Sequence, residues 1–487
     1  MRVHFVGVCG TGMGSLATLF REAGHAVTGS DTRFDPPMGE VLTAAGVVCL
    51  PGYAATHLDP TPDLVVVGNA IRKDNVEAMY AAEHALRRTS MSLALRESFL
   101  AKRTPLVVTG THGKTTTSSM CAWILSRAER GPGYFIGGVS KNLPKSAAIG
   151  LASKSLTSPR DLPFVVEGDE YDAVYWHKEP KFLDYVGVSK NDVVILTGIE
   201  HDHVDIYPTE AAYEGAFLSL VARIPEAGLL VCDAKDARAR SVARTARCRV
   251  SFYALAGDET GEATPSWLGA PAPVDDGQMQ PFDLYAGGVA CGRFAMPVAG
   301  EHNVRNAVAA IAACAEGFGV DIRSTRSALA AFDGVRRRQD LLGTPGGVRV
   351  YDDFAHHPTA VHETLRALRA KHPSGALWAV FEPRSATACR ALHQAAYASA
   401  FGPATRVILA PLGRANVPEA ERLDVQQLAR DLGPKAEAAS GADAIVERLV
   451  TDVRSGDTVA LLSNGAFEGL PSRLLGALSA RSSGGLA

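Results

Sequence analysis

The stretch GTHGKTT, Gly110 to Thr116, sets a lysine behind a glycine and ahead of two hydroxyls. That combination suits phosphoryl transfer. Lys114 can reach β- and γ-phosphates, and the Thr115 hydroxyl can hold Mg²⁺. The spacing departs from the usual phosphate loop, which has four residues between its first glycine and its Gly-Lys pair. Here only Thr111 and His112 stand between Gly110 and Gly113. The bland alternative is an exposed lysine in the first turn of a helix. Context favours the loop. PLVVTG before it reads as a strand, and Thr117, Met120, Cys121, Ile124 and Leu125 behind it recur on one helical face. A strand-turn-helix unit aims backbone N–H groups and a helix N-terminus at an anion.

Five more polar clusters, EGDEYD, EHDHVD, DDFAHHP, EPRSAT and SNGAFEG, each follow an apolar run. Open parallel sheets bind ligands outside the carboxyl ends of their strands, so clusters at such ends are candidate sites. Glu167 is the expected Mg²⁺ ligand, since Mg²⁺ prefers carboxylate oxygen and water. Asp169, Glu170 and Asp172 follow it, and one of them can simply face solvent. His203 is either a satisfied structural histidine or a group near the ion. Its acidic neighbours Glu200, Asp202 and Asp205 favour the second reading, which does not extend to His201. Asp352, Asp353, His356 and His357 run straight into Pro358, which fits a nucleotide-contacting loop better than a transition-metal site. Arg336, Arg337 and Arg338 form either a solvated basic turn or a source of positive charge for a nucleotide.

Three segments must position these groups. Residues 1–103 open with a strand, a glycine turn (Gly7, Gly10, Gly12, Gly14), a helix and a second strand ending at Asp31, the beginning of a Rossmann-like fold. The glycines serve nucleotide binding, or they merely permit helix to pack on strand. DLVVVGNAI is a further buried strand with Asn69 past its end. Residues 104–333 carry the phosphate loop, with YFIGGVSKN as a loop, GEHNVRNAVAAIAAC opening a helix near Asn303, and 255–283 as a loop-rich excursion. Residues 334–487 alternate strands and helices and predict another parallel α/β sheet.

Composition narrows the class. The 487 residues carry a formal net charge of -3, without the basic excess that nucleic-acid binding uses. No apolar run approaches the roughly 20 residues of a membrane helix. The eight cysteines form no C-x-x-C pair, and the N-terminus lacks a signal peptide's apolar core, so a cytoplasmic protein with reduced thiols is expected.

Taken in order, GTHGKTT, EGDEYD, EHDHVD, GEHNVRNA, RRRQD and DDFAHHP resemble the motifs of the Mur ligase family, ATP-dependent amide-bond ligases of peptidoglycan synthesis, over nearly the whole chain. The resemblance implies three α/β domains: a Rossmann-like N-terminal domain for a UDP-sugar, a central phosphate-loop ATPase-type domain, and a Rossmann-like C-terminal domain for the amine substrate. It implies ATP and Mg²⁺. It places Gly110, Thr111, His112, Gly113, Lys114, Thr115, Thr116, Asn303, Arg338 and Asp352 at ATP, and Thr115, Glu167 and His203 at metal. Lys114, Glu167, His203 and His356 form its catalytic set. GVCGTGMG resembles the branch acting on UDP-N-acetylmuramate, which gives Gly10, Thr11, Gly12, Met13, Asp31 and Asn69 to the sugar nucleotide.

DPPMGEVL, FIGGVSKN, VVEGDEYD, FEPRSAT and LLSNGAFEGL look more like the branch that adds a murein tripeptide than the one that adds L-alanine, with Arg384 and Asn464 as peptide contacts. Several relatives have a carbamylated lysine after the histidine-aspartate motif; AAYEGAF offers Ala216 and Phe217 instead. No nucleic-acid or membrane partner is expected, and the chain should be a monomer or weak dimer. Two rivals from other classes are a mechanical or regulatory phosphate-loop NTPase and a nicotinamide-dependent oxidoreductase. The first leaves the N-terminal turn unexplained, the second leaves Lys114 unexplained.

Overall fold

A computed structural model describes residues 1–151, 162–274, 279–414 and 417–484. Short apolar runs make its strands, and parallel strands buried on both faces read as unbroken hydrophobic stretches. The first sheet is wholly parallel. It holds β1 (Arg2–Val6), β2 (Ala26–Asp31), β3 (Val48–Pro51), β4 (Leu64–Val67) and β5 (Arg88–Ser90) in the order β3-β2-β1-β4-β5. Strand order reverses at β1, so the crevice between the ends of β1 and β4 is the switch point where such sheets take ligands. The glycine turn follows β1, and Asn69 lies just past β4.

The second sheet contains β6 (Thr104–Thr109), β7 (Gly133–Phe135), β8 (Ala147–Ala148) and β9 (Pro163–Glu167). A separate hairpin follows, β10 (Asp172–Val174) with β11 (His177–Pro180). The sheet continues with β12 (Val193–Leu196), β13 (Leu229–Asp233), β14 (Arg249–Leu255), β15 (Trp267–Pro271), β16 (Gln280–Ala286) and β17 (Val289–Met296). Its order is β17-β16-β15-β14-β13-β12-β6-β9-β7-β8. β6 therefore lies between β12 and β9. Register pairs Thr109 with Leu196 and Val108 with Glu167, which brings the chain ends carrying EHDHVD and EGDEYD to either side of the phosphate loop. The helices Lys114–Arg127 and Glu301–Phe318 pack on one face, the second through an alanine-rich, fully buried stretch from Ala307 to Cys314.

The third sheet holds β18 (Asp340–Gly343), β19 (Arg349–Asp353), β20 (Leu377–Phe381), β21 (Arg406–Leu409), β22 (Ala436–Ala438) and β23 (Thr458–Leu462), ordered β18-β19-β23-β20-β21-β22. It is parallel except for β18, an antiparallel edge. Leu462 is in register with both Asp353 and Phe381, so the DDFAHHP, EPRSAT and SNGAFEG loops leave the sheet side by side.

Two expectations need correction. The loop-rich excursion at 255–283 contains β15 and most of β16; residues 275–278 lie outside the described set. These strands were hidden because Pro271 and Pro281 sit in them and because only one face is covered, Phe282 and Leu284 being buried. YFIGGVSKN starts as strand β7 rather than as loop.

Ala216 and Phe217 are buried on the helix Glu210–Arg223. Phe217 stacks on Phe182 at 5.4 Å and meets the Tyr213 ring edge-on at 5.1 Å. Phe217→Ala should destabilise the protein by about 3–5 kcal/mol, since a large aromatic leaves a cavity that neighbours fill only in part. Urea unfolding reads this, and an unchanged midpoint would show that the site collapses freely.

Candidate active site

The phosphate loop is a backbone held where side chains do not fit. Gly110 has φ +113° and Gly113 φ +80°, a region that glycine enters at little cost. A Cβ on Gly110 would lie 2.8 Å from Gly198 O and 2.9 Å from Thr197 N, and one on Gly113 would collide with Asn306 Oδ1. The end of β12 laces the loop in place. Thr111 N donates to Gly198 O at 3.0 Å, and Thr197 Oγ1 donates to His112 O at 2.6 Å and Thr109 O at 3.0 Å. No side chain caps the helix that starts at Lys114. Its first N–H groups are thus available to an anion. Lys114 Nζ donates to Gly110 O at 2.7 Å, Thr111 O at 3.3 Å and Glu170 Oε1 at 2.7 Å.

Beside the lysine, two oxygen donors meet. Thr115 Oγ1 donates to Glu167 Oε1 at 2.7 Å, while Gly137 N donates to Glu167 Oε2 at 2.7 Å. A Cβ at Gly138 would come within 2.6 Å of Thr115 Cγ2, so the Gly-Gly pair lets the chain after β7 press on this corner. A hydroxyl next to a fixed carboxylate is a donor set that fits Mg²⁺. His203 has φ +53°, and its imidazole Nδ1 lies 3.1 Å from Tyr171 Oη, with Nε2 3.9 Å from Glu170 Oε2. Glu170 is 2% exposed. Burial raises its pKa against the pull of Lys114 and His203. Its carboxyl group lies between Lys114 Nζ and His203 Nε2.

The acidic neighbours of His203 do not face the same way. Glu200 Oε2 lies 2.7 Å from His112 Nε2 and 3.7 Å from His357 Nδ1, and Glu200 Oε1 accepts from Thr359 Oγ1 at 2.8 Å. Asp202 Oδ1 accepts from Thr387 Oγ1 at 2.6 Å, and its Oδ2 lies 3.8 Å from His356 Nε2. Both carboxylates reach the third sheet's loops. Burial opposes their ionisation, yet the His112 hydrogen bond and His357 bring Glu200 down to about 2, and His203 and His356 hold Asp202 well below the usual range. Burial lowers His356, and burial with His112 lowers His357 to about 3. His112, Glu200 and His357 present donor atoms within 4.8 Å of one another.

The remaining candidates are scattered around this centre. Thr116 is buried in the first turn behind Thr115. Asn303 is buried, donates to Ala299 O at 2.8 Å and accepts from Asn306 Nδ2 at 3.4 Å. Arg338 does not meet Asp352: its guanidinium lies 5.0 Å over the Phe354 ring, and it is Arg337 Nε that donates to Asp352 Oδ2, at 3.1 Å. The backbone explains the exchange. Arg337 has φ +60°, and its side chain turns inward to the carbonyls of Ser463 and Gly465. Burial raises Asp352 despite Arg337. Arg384 is threaded past Gly413 and Gly465, with NH1 3.3 Å from Glu382 Oε1. Asn464 Oδ1 is buried without a hydrogen-bond partner among the described residues.

In the first domain Gly10 and Thr11 are exposed at an uncapped helix N-terminus, and Asn69 is exposed. Gly12 and Gly14 also make room, a Cβ on either colliding with the sulfur of Met91 or Met38. Packing is therefore one role of these glycines. Met13 is buried, and a Cβ on Gly68 would lie 3.4 Å from its Cγ. The Asp31 carboxylate is already engaged by Cys9 N at 2.8 Å, Thr32 N at 2.7 Å and Tyr53 Oη at 3.4 Å, so it shapes the glycine turn from within. A Cβ on Gly12 would stand 3.9 Å from Phe135 Cζ, which brings the turn alongside β7 and hence towards Gly137 and Glu167.

Sequence reasoning missed Gly137, Gly138 and Asn306, and did not single out Arg337 among its three arginines. The Gly-Gly pair directly after an apolar run, and the second asparagine one turn beyond Asn303, were the available signals. Nothing in a run of three arginines marks which one turns inward.

Three family profiles match the chain: the Mur ligase family catalytic domain at residues 2–103, the Mur ligase middle domain at 108–314, and the Mur ligase glutamate ligase domain at 337–465. A UDP-N-acetylmuramate–L-alanyl-γ-D-glutamyl-meso-2,6-diaminoheptandioate ligase from Escherichia coli is 35% identical over 480 residues, 98% of each chain. A UDP-N-acetylmuramate–L-alanine ligase from Roseiflexus is 34% identical over 411 residues, 82% of each. The crystal structure of a murein peptide ligase from Psychrobacter arcticus superposes with TM-score 0.70 at 33% identity, covering 98% of this chain and 99% of that one.

Lys114→Ala should lower ATP-dependent turnover by at least about 10²–10³-fold, the usual loss when a cationic or hydrogen-bonding group leaves a reacting phosphate, with far-UV circular dichroism unchanged. Near-normal phosphate release by this variant would remove the phosphate-loop assignment.

Proposed function

The chain belongs to the Mur ligase family, and we propose that it is the ATP-dependent ligase that joins UDP-N-acetylmuramate to the tripeptide L-Ala-γ-D-Glu-meso-diaminopimelate in peptidoglycan recycling. One observation carries the choice of amine. The similarity to a tripeptide ligase runs over 98% of both chains, whereas the L-alanine ligase from Roseiflexus matches over 82%. Residues 1–103 would hold the sugar nucleotide, 104–333 ATP, and 334–487 the peptide. Eight free thiols accord with a cytoplasmic setting.

The chemistry follows from the groups present. A carboxylate is a poor electrophile and amide formation in water is uphill, so the acid must be activated. An oxygen of the muramoyl carboxylate attacks the γ-phosphorus, the bond to the β-phosphate oxygen breaks, and ADP leaves. The loop N–H groups and Lys114 meet the charge that develops on the transferred group. Thr115 and Glu167, with His203 near Glu170, would hold Mg²⁺, which when bound neutralises phosphate charge. Asn303, Asn306 and Asp352 would line the nucleoside end. The peptide's α-amine then attacks the acyl carbon, the bond to phosphate breaks, and the amide remains. His356 is suited to take the amine's proton. Its Nδ1 faces Phe354 O at 3.0 Å, which leaves Nε2, 3.8 Å from Asp202 Oδ2, as the acceptor, and burial lowers its pKa. At the other end, the N–H groups at Gly10, Thr11 and Gly12 suit a diphosphate, with Asn69 beside them and Met13 and Asp31 shaping the turn from beneath. Arg384, with Asn464 close by on a neighbouring loop, suits a peptide carboxylate. Closure of three domains around one cleft would exclude water and protect the acyl phosphate.

The test is phosphate release from ATP and Mg²⁺ with UDP-N-acetylmuramate, run in parallel with free L-alanine and with the tripeptide, and checked by product mass. Turnover with the tripeptide alone is expected. Turnover with L-alanine alone would keep the mechanism and overturn the choice of amine, and release that needs neither amine nor sugar would point to a plain NTPase.

A further inference from the structure

The loop after β12 divides its side chains between two domains. His203 turns towards Glu170 and Tyr171 of its own domain, while Asp202 crosses to the third sheet. The crossing contact is dry. Asp202 is 5% exposed and Thr387 3%, and their hydrogen bond is 2.6 Å long. Asp202 Oδ1 also accepts from His203 N at 2.7 Å, so a single carboxylate oxygen ties the histidine's backbone to the other domain.

Thr387 sits on the loop that carries Arg384. That loop is internally braced, Ala388 N donating to Ser385 Oγ at 2.9 Å and Cys389 N to Ser385 O at 3.1 Å. Arg384 has one open direction. A Cβ on Gly413 would lie 2.8 Å from its Cγ, one on Gly465 would collide with its Cδ, and Glu382 takes NH1. Its side chain nevertheless remains 40% exposed. A guanidinium backed by Gly465 and Glu382 yet still part exposed keeps N–H groups that can capture a carboxylate. Where that head points depends on the seat of its loop, and the one hydrogen bond from this loop's side chains into the central domain, among the described residues, is Thr387 to Asp202.

Resting on the ligase reading, we propose that Asp202 and Thr387 are positioning residues for the amine substrate: their buried hydrogen bond seats the Arg384 loop against the His203 loop, so that a carboxylate on the incoming amine is held in register with the reacting phosphate. Neither residue touches substrate. Their effect falls on the peptide's affinity, because ATP and the sugar nucleotide are gripped by other loops.

The test is a kinetic series with whichever amine the wild-type chain joins, so that a wrong choice of amine leaves the experiment standing. Thr387→Val removes the donor with little change of shape and leaves Asp202 Oδ1 one partner short. The amine's KM should rise by about tenfold, the scale of leaving a buried acceptor unmet, while KM for ATP and for UDP-N-acetylmuramate stays within about twofold. Thr387→Ser, which keeps the hydroxyl, should restore the amine's KM. Asp202→Ala combined with Thr387→Val should be no worse than Asp202→Ala alone. Thermal melting of each variant reports folding separately. A wild-type KM for the amine in Thr387→Val, an equal rise for all three substrates, no rescue by serine, or fully additive effects would each overturn the proposal.

Discussion

The close approach of two backbones at the phosphate loop organises the central domain. Gly110 lies under the end of β12 and Gly113 under Asn306, each at a distance that only a hydrogen atom in place of Cβ allows. Because the loop can be that thin, β12 and β9 flank β6 directly and the helix Glu301–Phe318 comes down on the helix Lys114–Arg127. The acidic loop after β9 then meets the lysine through Glu170, while the end of β12 holds the backbone of the phosphate loop. A loop of ordinary length would stand further from β12, and Thr197 could not hold His112 O while its neighbour Gly198 receives Thr111 N.

Charges follow from that compactness. Lys114 with Glu170 sits in buried surroundings where water screens little, while Glu200 with His112 is more open. A charge there costs free energy unless it is paired, and each of these has a partner on a different strand-end loop. Pairing therefore acts as registry between loops. The same principle extends across domains through Asp202, His356 and Thr359, so the phosphate loop, the histidine loop and the C-terminal sheet form one polar seam. Among the described residues no helix is long and apolar enough to cross a membrane.

Much of this was legible in the amino-acid order because parallel strands buried on both faces announce themselves as apolar runs that stop at polar residues. That logic found β6, β9, β12, β19, β20 and β23 and the clusters at their ends. It failed at β15 and β16, an antiparallel pair with prolines and one uncovered face. It could place Glu200 and Asp202 near His203 but not tell that alternate side chains of one loop turn to different domains, since direction depends on the left-handed backbone at His203. For the same reason Arg338 looked equivalent to Arg337, although only the latter is bent inward to Asp352. Asp31, expected at the sugar nucleotide, accepts from Cys9 N of the glycine turn and from Thr32 N, a bracing that its place after β2 does not reveal.

The account stands on one chemical event, transfer of a carboxylate oxygen to the γ-phosphate before any amide forms. UDP-N-acetylmuramate labelled with ¹⁸O in its muramoyl carboxylate tests it directly, with the phosphate released during ligation analysed by mass spectrometry. The phosphate should carry one ¹⁸O derived from the carboxylate, the oxygen that bridged acyl carbon and phosphorus. Unlabelled phosphate accompanying labelled amide would contradict the acyl-phosphate route and with it the role given to Lys114.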